Sequence, residues 1–108
     1  MTLLQEQALN TIGCLPDDAW TDWGEVARSI GRPRAHGRCV AVSLIPIEFP
    51  KGNYEQVLDA DGRYNAPADA PLVEADEAHR RLAARGITVV DGCADETRKV
   101  HWHDEGWA

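Results

Sequence analysis

No stretch of this 108-residue chain approaches the ~18 consecutive apolar residues that a membrane-spanning helix needs, so no membrane partner is expected. Near Met1 there is no basic segment followed by an apolar core. A secretory leader is therefore not expected, and the cytoplasm is the expected compartment. Cysteine is scarce. Cys14, Cys39 and Cys93 are odd in number and far apart, which argues against a disulfide framework and fits no zinc-ligand spacing. They are expected to be reduced and mostly buried. Basic residues are also few, 11 Lys and Arg against 18 Asp and Glu, for a net charge of -7. That balance opposes a broadly basic nucleic-acid surface, because phosphate neutralisation supplies much of the affinity of such proteins.

Hydrophobic residues make up 44% of the chain, which with this length predicts one folded domain, 1–108, around a modest core. The charge is unevenly spread. Residues 1–23 carry four acids and no base. Residues 24–38 carry Arg28, Arg32, Arg34 and Arg38 against Glu25 alone, and 39–108 carry seven bases and thirteen acids. One short basic patch therefore sits in an acidic molecule. Any nucleic-acid contact should centre there and be weak and salt-sensitive.

Leu4, Ala8 and Ile12 recur at helical spacing over 2–13, with Gly13 as a left-handed stop. Leu15 to Asp18 reads as a turn. Thr21 or Asp22 can cap a second helix, in which Trp23, Val26, Ala27 and Ile30 form one buried stripe. Gly31 ends that helix and Pro33 restarts the chain. A third helix is expected over 34–44, with Cys39, Val42 and Ala35 facing inward. Residues 46–53 read as irregular, and 56–64 as two short strands around an Asp-Gly turn. A loop is expected over 65–71, then a helix from Pro71 to Arg85 with Ala75, Ala78 and Leu82 inward and Gly86 as its stop. Residues 87–90 read as a strand, with 97–102 returning antiparallel to it. The tail, with His101 and His103 at i and i+2, reads as a strand end rather than a metal site, and Trp102 and Trp107 as packing or interface residues.

The order of an apolar helix face, a Gly31-Arg32-Pro33 turn and a small-residue basic helix is how a helix-turn-helix is written, here over 22–44. The expected fold is mainly α with small β, a single winged helix-turn-helix-like domain.

These motifs resemble the C-terminal domain of the alkylguanine-DNA alkyltransferase family, and more closely its alkyltransferase-like proteins. Leu15-Pro16 matches the family's Ile-Pro-Gly turn, and Trp23-Gly24-Glu25-Val26-Ala27 its Tyr-Gly-Glu-Val-Ala segment. Gly31-Arg32-Pro33-Arg34-Ala35 matches Gly-x-Pro-x-Ala. Arg38-Cys39-Val40-Ala41 matches Arg-Ala-Val-Gly one residue late. Val57 to Gly62 matches Val-Val-x-x-x-Gly, and Arg80 to Gly86 the family's late helix. The similarity spans nearly the whole chain and is densest over 15–41. It implies minor-groove binding to double-stranded DNA by a small-residue helix, with one arginine entering the base stack while a nucleotide is extruded. The intruding arginine corresponds to Arg38, and the family tyrosine at the flipped nucleotide's phosphate to Trp23. Arg28, Arg32, Arg34 and Ala35 complete the implied DNA-binding set.

The resemblance breaks at the active site. The family's Pro-Cys-His-Arg, whose thiolate takes the alkyl group, corresponds to Asn53-Tyr54-Glu55-Gln56. The family glutamate that supports the histidine is replaced by Arg85. A second alignment, on Phe49-Pro50, puts Lys51 in the receptor position. The thiol is absent either way, so no enzyme activity and no cofactor are expected. Alkyltransferase-like proteins also lack it, and they bind damaged DNA to flag it for nucleotide excision repair. The implied function is therefore recognition of alkylated guanine by base flipping, with Tyr54, Glu55 and Val57 as the lesion pocket and a nucleotide excision repair protein as a partner. Two competing readings remain. One is a protein-interaction module on the same scaffold that has lost DNA binding, favoured by the net charge and by Gly37 breaking the recognition helix. The other is an enzyme with a new nucleophile, Lys51 or a cysteine, for which no alkyl transfer is expected.

Overall fold

The structure, a computed structural model, describes residues 1–45, 47–64 and 74–108. The chain opens with α1 (Leu3–Gly13), which starts where Thr2 and Gln5 form a reciprocal capping box. Two of the helix's free N–H groups are thereby satisfied. Ala8, Leu9 and Ile12 form its buried face. The helix does not end in a left-handed residue at Gly13 as expected. Its last turn tightens instead: Cys14 N–H bonds back to Thr11 and Leu15 N–H to Ile12, so the terminal carbonyls are satisfied without a positive φ.

Strand β1 (Thr21–Asp22) leads directly into α2 (Trp23–Ser29), and Asp22 is the cap: its carboxylate accepts the Glu25 N–H at 2.8 Å. Val26 and Ala27 are fully buried, while Trp23 and Ile30 pack partly buried against the same core, so the expected stripe is present. Gly31 turns the chain at φ +80, a conformation that L side chains enter at a cost. A tight turn, Arg34–His36, then precedes α3 (Gly37–Leu44).

α3 is rotated from the expected orientation. Gly37, Val40 and Leu44 face inward, whereas Ala35, Cys39 and Val42 are exposed. The cause is a backbone contact. A Cβ on Gly37 would lie 2.7 Å from the carbonyl carbon of Trp23 and 2.8 Å from the Gly24 nitrogen. Only glycine permits α2 and α3 to approach this closely, and the approach fixes which face of α3 turns in. Gly37 thus begins the helix and seats it rather than breaking it. The cysteines differ from expectation too: Cys14 and Cys39 are exposed, Cys93 is half-buried, and all three are free.

The remaining described elements are β2 (Val57–Leu58), α4 (Ala75–Ala84), β3 (Val89–Val90), β4 (Cys93–Ala94), β5 (Trp102–His103) and β6 (Gly106–Trp107). Among the described residues there are four α-helices and three two-stranded sheets, a mixed helix and strand architecture in which the sheets are small. β2 pairs parallel to β1. Across from it, residues 98–100 run beside Trp20, which accepts from Val100 N–H and donates to Arg98 O. The expected pairing of 97–102 with 87–90 is therefore absent. β3 pairs instead with β4, through a turn at Asp91 and Gly92 in which both residues have positive φ. The Asp-Gly turn at 61–62 is present, but its strands do not form a hairpin: β2 pairs with β1, and Arg63 bridges to Cys93. In α4, Ala78 and Leu82 are buried, Ala75 is exposed and Gly86 stops the helix at φ +81. The expected loop over 65–71 and the first residues of that expected helix lie outside the described residues. β5 and β6 form the C-terminal hairpin. Trp102 and Trp107 meet edge to face at 5.2 Å, and Trp107 Nε1 donates to Thr11 O.

Among the described residues, two clusters of buried side chains form the core. The first joins α1, α2, α3, Phe49 and Val57; the second joins Trp20, Leu58, Leu82, Ile87 and Ala94. Replacing Gly37 by Ala should cost about 1–3 kcal/mol of stability in urea denaturation, as overpacking does. Gly31→Ala, in open space, should cost about 1 kcal/mol from φ alone. A Gly37→Ala variant as stable as the parent would show that the close approach does not seat α3.

Candidate nucleic-acid interface and the buried acids behind it

The α2–α3 region is organised by two carboxylates, Asp22 and Glu25, each at most 2% exposed. Arg34 spans both, with Nη1 2.5 Å from Glu25 Oε2 and Nη2 3.0 Å from Asp22 Oδ2. Arg28 Nη1 reaches Glu25 Oε1 at 2.6 Å, and Lys99 Nζ reaches Asp22 Oδ2 at 3.0 Å. The Trp102 backbone N–H donates to Glu25 Oε1, and His101 Nδ1 lies 3.5 Å from Oε2. Burial by itself would push both carboxyls up. For Asp22, the bonds from Arg34, the Glu25 N–H and Lys99 outweigh burial and leave its pKa below the usual range. For Glu25, the Trp102 N–H, His101, Arg28 and Arg34 do the same. Arg34 is raised correspondingly, chiefly by its bond to Asp22.

This network sorts the residues of the expected DNA-binding set. Arg28 and Arg34 are half-exposed and ion-paired to the acids beneath them, which also hold Lys99, so three cations share two carboxylates. Arg32 and Arg38 are exposed and make no ion pair or side-chain hydrogen bond with the described residues. Ala35 is exposed in the turn before α3, and Arg38, Cys39 and Val42 share the helix's outer face. Trp23 is partly buried against the first core. Of the four arginines in the basic patch, two are ion-paired and two have no partner among the described residues.

The three positions expected to form a lesion pocket separate. Val57 is 3% exposed and belongs to the first core. Tyr54 is half-buried; its Oη accepts the Phe49 N–H at 2.9 Å and its ring centroid lies 4.4 Å from that of Phe49. Glu55 is 1% exposed and faces α4, with Arg85 Nη2 at 3.7 Å and Arg81 Nη1 at 3.8 Å. Its Oε2 is buried and accepts no hydrogen bond among the described residues. Burial pushes the Glu55 carboxyl up; Arg85 and Arg81 offset this in part, and Glu77 adds to it. The pairing of positions 55 and 85 is notable, because the resemblance matched them to the family's histidine and its supporting glutamate.

A cleft of about 200 Å³ lies between the end of α1 and residues 49–53, with Ile12, Gly13, Phe49, Lys51 and Asn53 among its walls. Tyr54 backs Phe49 without lining it. Sequence reasoning missed this cleft and the Asp22–Glu25 centre. One signal was available for the latter: Glu25 sits beside an apolar stripe with Arg28 at i+3, a pairing distance on a helix.

The chain matches no protein-family model, and no curated protein matches it in sequence. Among the described residues, no helix is long and apolar enough to cross a membrane.

Glu25 and Glu55 predict opposite pH behaviour. A lowered folded pKa means that Glu25 stabilises the protein above its unfolded value, and that this is lost as pH falls through the folded value. Glu25→Gln should therefore cost about 2 kcal/mol near neutrality, with the deficit shrinking below about pH 4. A raised folded pKa means that ionised Glu55 costs stability above that pKa and nothing below the unfolded one. Glu55→Gln should melt higher than the parent at neutral pH and converge with it in acid. Thermal melts across pH check both, and a Glu55→Gln variant that melts lower at neutral pH would reverse the sign assigned to this carboxylate.

Proposed function

We propose that the chain is a non-enzymatic, cytoplasmic DNA-binding protein of the alkyltransferase-like kind. In this reading α2, the turn and α3 act as the helix-turn-helix of a winged-helix-like domain, and α3 lies in the minor groove. The observation that carries it is Arg38: an exposed arginine, unpaired among the described residues, on a helix face otherwise made of small residues and Val42. A face of that kind lets backbone approach a groove while one long cation enters the stack. Arg32, at the preceding turn, supplies a phosphate contact. The proximity of Glu55 and Arg85 gives further support, since it is the spatial relation that the resemblance implies for those two positions. With Val57 and Glu55 sealed, an extruded alkylguanine would meet Tyr54, the member of the trio with solvent access. The Tyr54 hydroxyl is engaged by Phe49 N–H, which suits a stacking face rather than an alkyl acceptor. The protein would then flag the lesion for a nucleotide excision repair partner.

A second reading, a protein-interaction module without DNA binding, is favoured by the ion pairing of Arg28 and Arg34 and by Val42, 52% exposed on the same face. Fluorescence-anisotropy titration of plain and alkylated duplexes decides between them. Binding should show a log-log salt slope near about -2, for two free arginines, rather than about -4. Arg38→Ala should weaken binding about tenfold or more and remove the preference for the alkylated duplex. Absence of binding at micromolar protein and low salt would give the second reading the field.

A further inference from the structure

The cleft between α1 and residues 49–53 takes no part in the DNA-binding reading. Its floor and sides come from Leu9, Ile12 and Phe49, each under 8% exposed, together with Pro50. A cavity of about 150 Å³ lined by Leu, Ile and Phe is enough to hold benzene, so about 200 Å³ accommodates one ring and a short substituent. Among the described residues Lys51 is the one charged side chain in the lining. Its Nζ donates to Gly13 O at 2.7 Å, and its stem passes 3.9 Å from where a Gly13 Cβ would be. The ammonium is thus tethered at the cleft, with two N–H groups remaining for a ligand. Among the described residues no acid shares the lining, although the chain as a whole carries -7.

Asn53 adds a polar point. It is 4% exposed and gives its Nδ2 hydrogens to Ile12 O and Gln56 Oε1. Among the described residues its Oδ1 accepts no bond, and it is not among the atoms sealed from solvent without a partner. Asn53 therefore brings to the cleft wall a buried amide whose Oδ1 accepts nothing from the described residues.

We propose that this cleft binds a compact aryl carboxylate carrying a ring hydroxyl or ring N–H, with the ring against Leu9, Ile12 and Phe49, the carboxylate on Lys51 Nζ and the ring donor on Asn53 Oδ1. The apolar walls hold the ring by burial, the lysine selects an anion, and the asparagine selects a donor. Pockets of this composition, mostly apolar with a few convergent polar groups, are the usual form of a small-molecule site.

The test uses 4-hydroxyphenylacetate as probe and the full chain without DNA, so its outcome is independent of the DNA-binding reading. In a ¹⁵N-NMR titration, saturable shifts are expected at the amides of Gly13, Cys14, Lys51 and Asn53, with a Kd on the order of 1 mM. Alkylation of the Cys14 thiol, which lines the cleft, should slow in the presence of the probe, while exposed Cys39 keeps its rate and serves as the internal control. Lys51→Gln should weaken binding at least fivefold with an unchanged spectrum elsewhere, and Lys51→Arg should restore part of it. The neutral amide analogue should bind correspondingly less well, and phenylacetate should fall between the two. The proposal is overturned by the absence of a saturable shift, by equal binding of acid and amide, by equal binding of parent and Lys51→Gln, or by tighter binding of a neutral purine nucleoside.

Discussion

The fold turns on two carboxylates that are buried yet remain charged. Asp22 and Glu25 stand one helical turn apart, and removing them from water is costly unless every lone pair is answered. Here the answers come from several parts of the chain: Arg28 on α2, Arg34 in the turn before α3, Lys99 beside β1, and the Trp102 backbone at the start of the C-terminal hairpin. The acids thereby hold the first helices and the last strands in one arrangement. Asp22 does so while also capping α2, so a single side chain starts the helix and anchors its surroundings.

The same centre accounts for what the amino-acid sequence made legible and what it did not. The cap at Asp22, the α2 stripe, and the glycine stops at 31 and 86 were readable because capping, helical periodicity and positive φ act over a few residues. The rotation of α3 was not, because it is set by the Gly37 backbone meeting Trp23 and Gly24, a contact between helices. The six strands among the described residues are two residues long and have no alternation to read, so their pairings were missed or misplaced. In the basic patch, charges could be counted but their partners could not be seen. Arg28 and Arg34 looked like free cations, and only folding shows the acids beneath them.

Glu55 is the counterpoint to Glu25. Both are buried to a similar degree, yet their carboxyls shift in opposite directions. The difference lies in contact distance. Glu25 receives direct hydrogen bonds, whereas the guanidinium groups of Arg81 and Arg85 stand 3.7 to 3.8 Å from Glu55 and leave Oε2 unanswered. Charge in the neighbourhood is not enough to repay desolvation; directed donors are. That distinction was invisible before α4 was placed against the Tyr54–Gln56 turn.

Val57 and Leu58 carry a consequence for the molecule as a whole. They are consecutive in β2, and because neighbouring side chains on a strand point to opposite faces, each plugs a different cluster. One peptide plane is thus the party wall between two rooms. Neither room can swell or be refurnished with bulkier occupants unless that wall moves and presses on the other, so the two halves must loosen together and, over generations of substitution, must drift in concert.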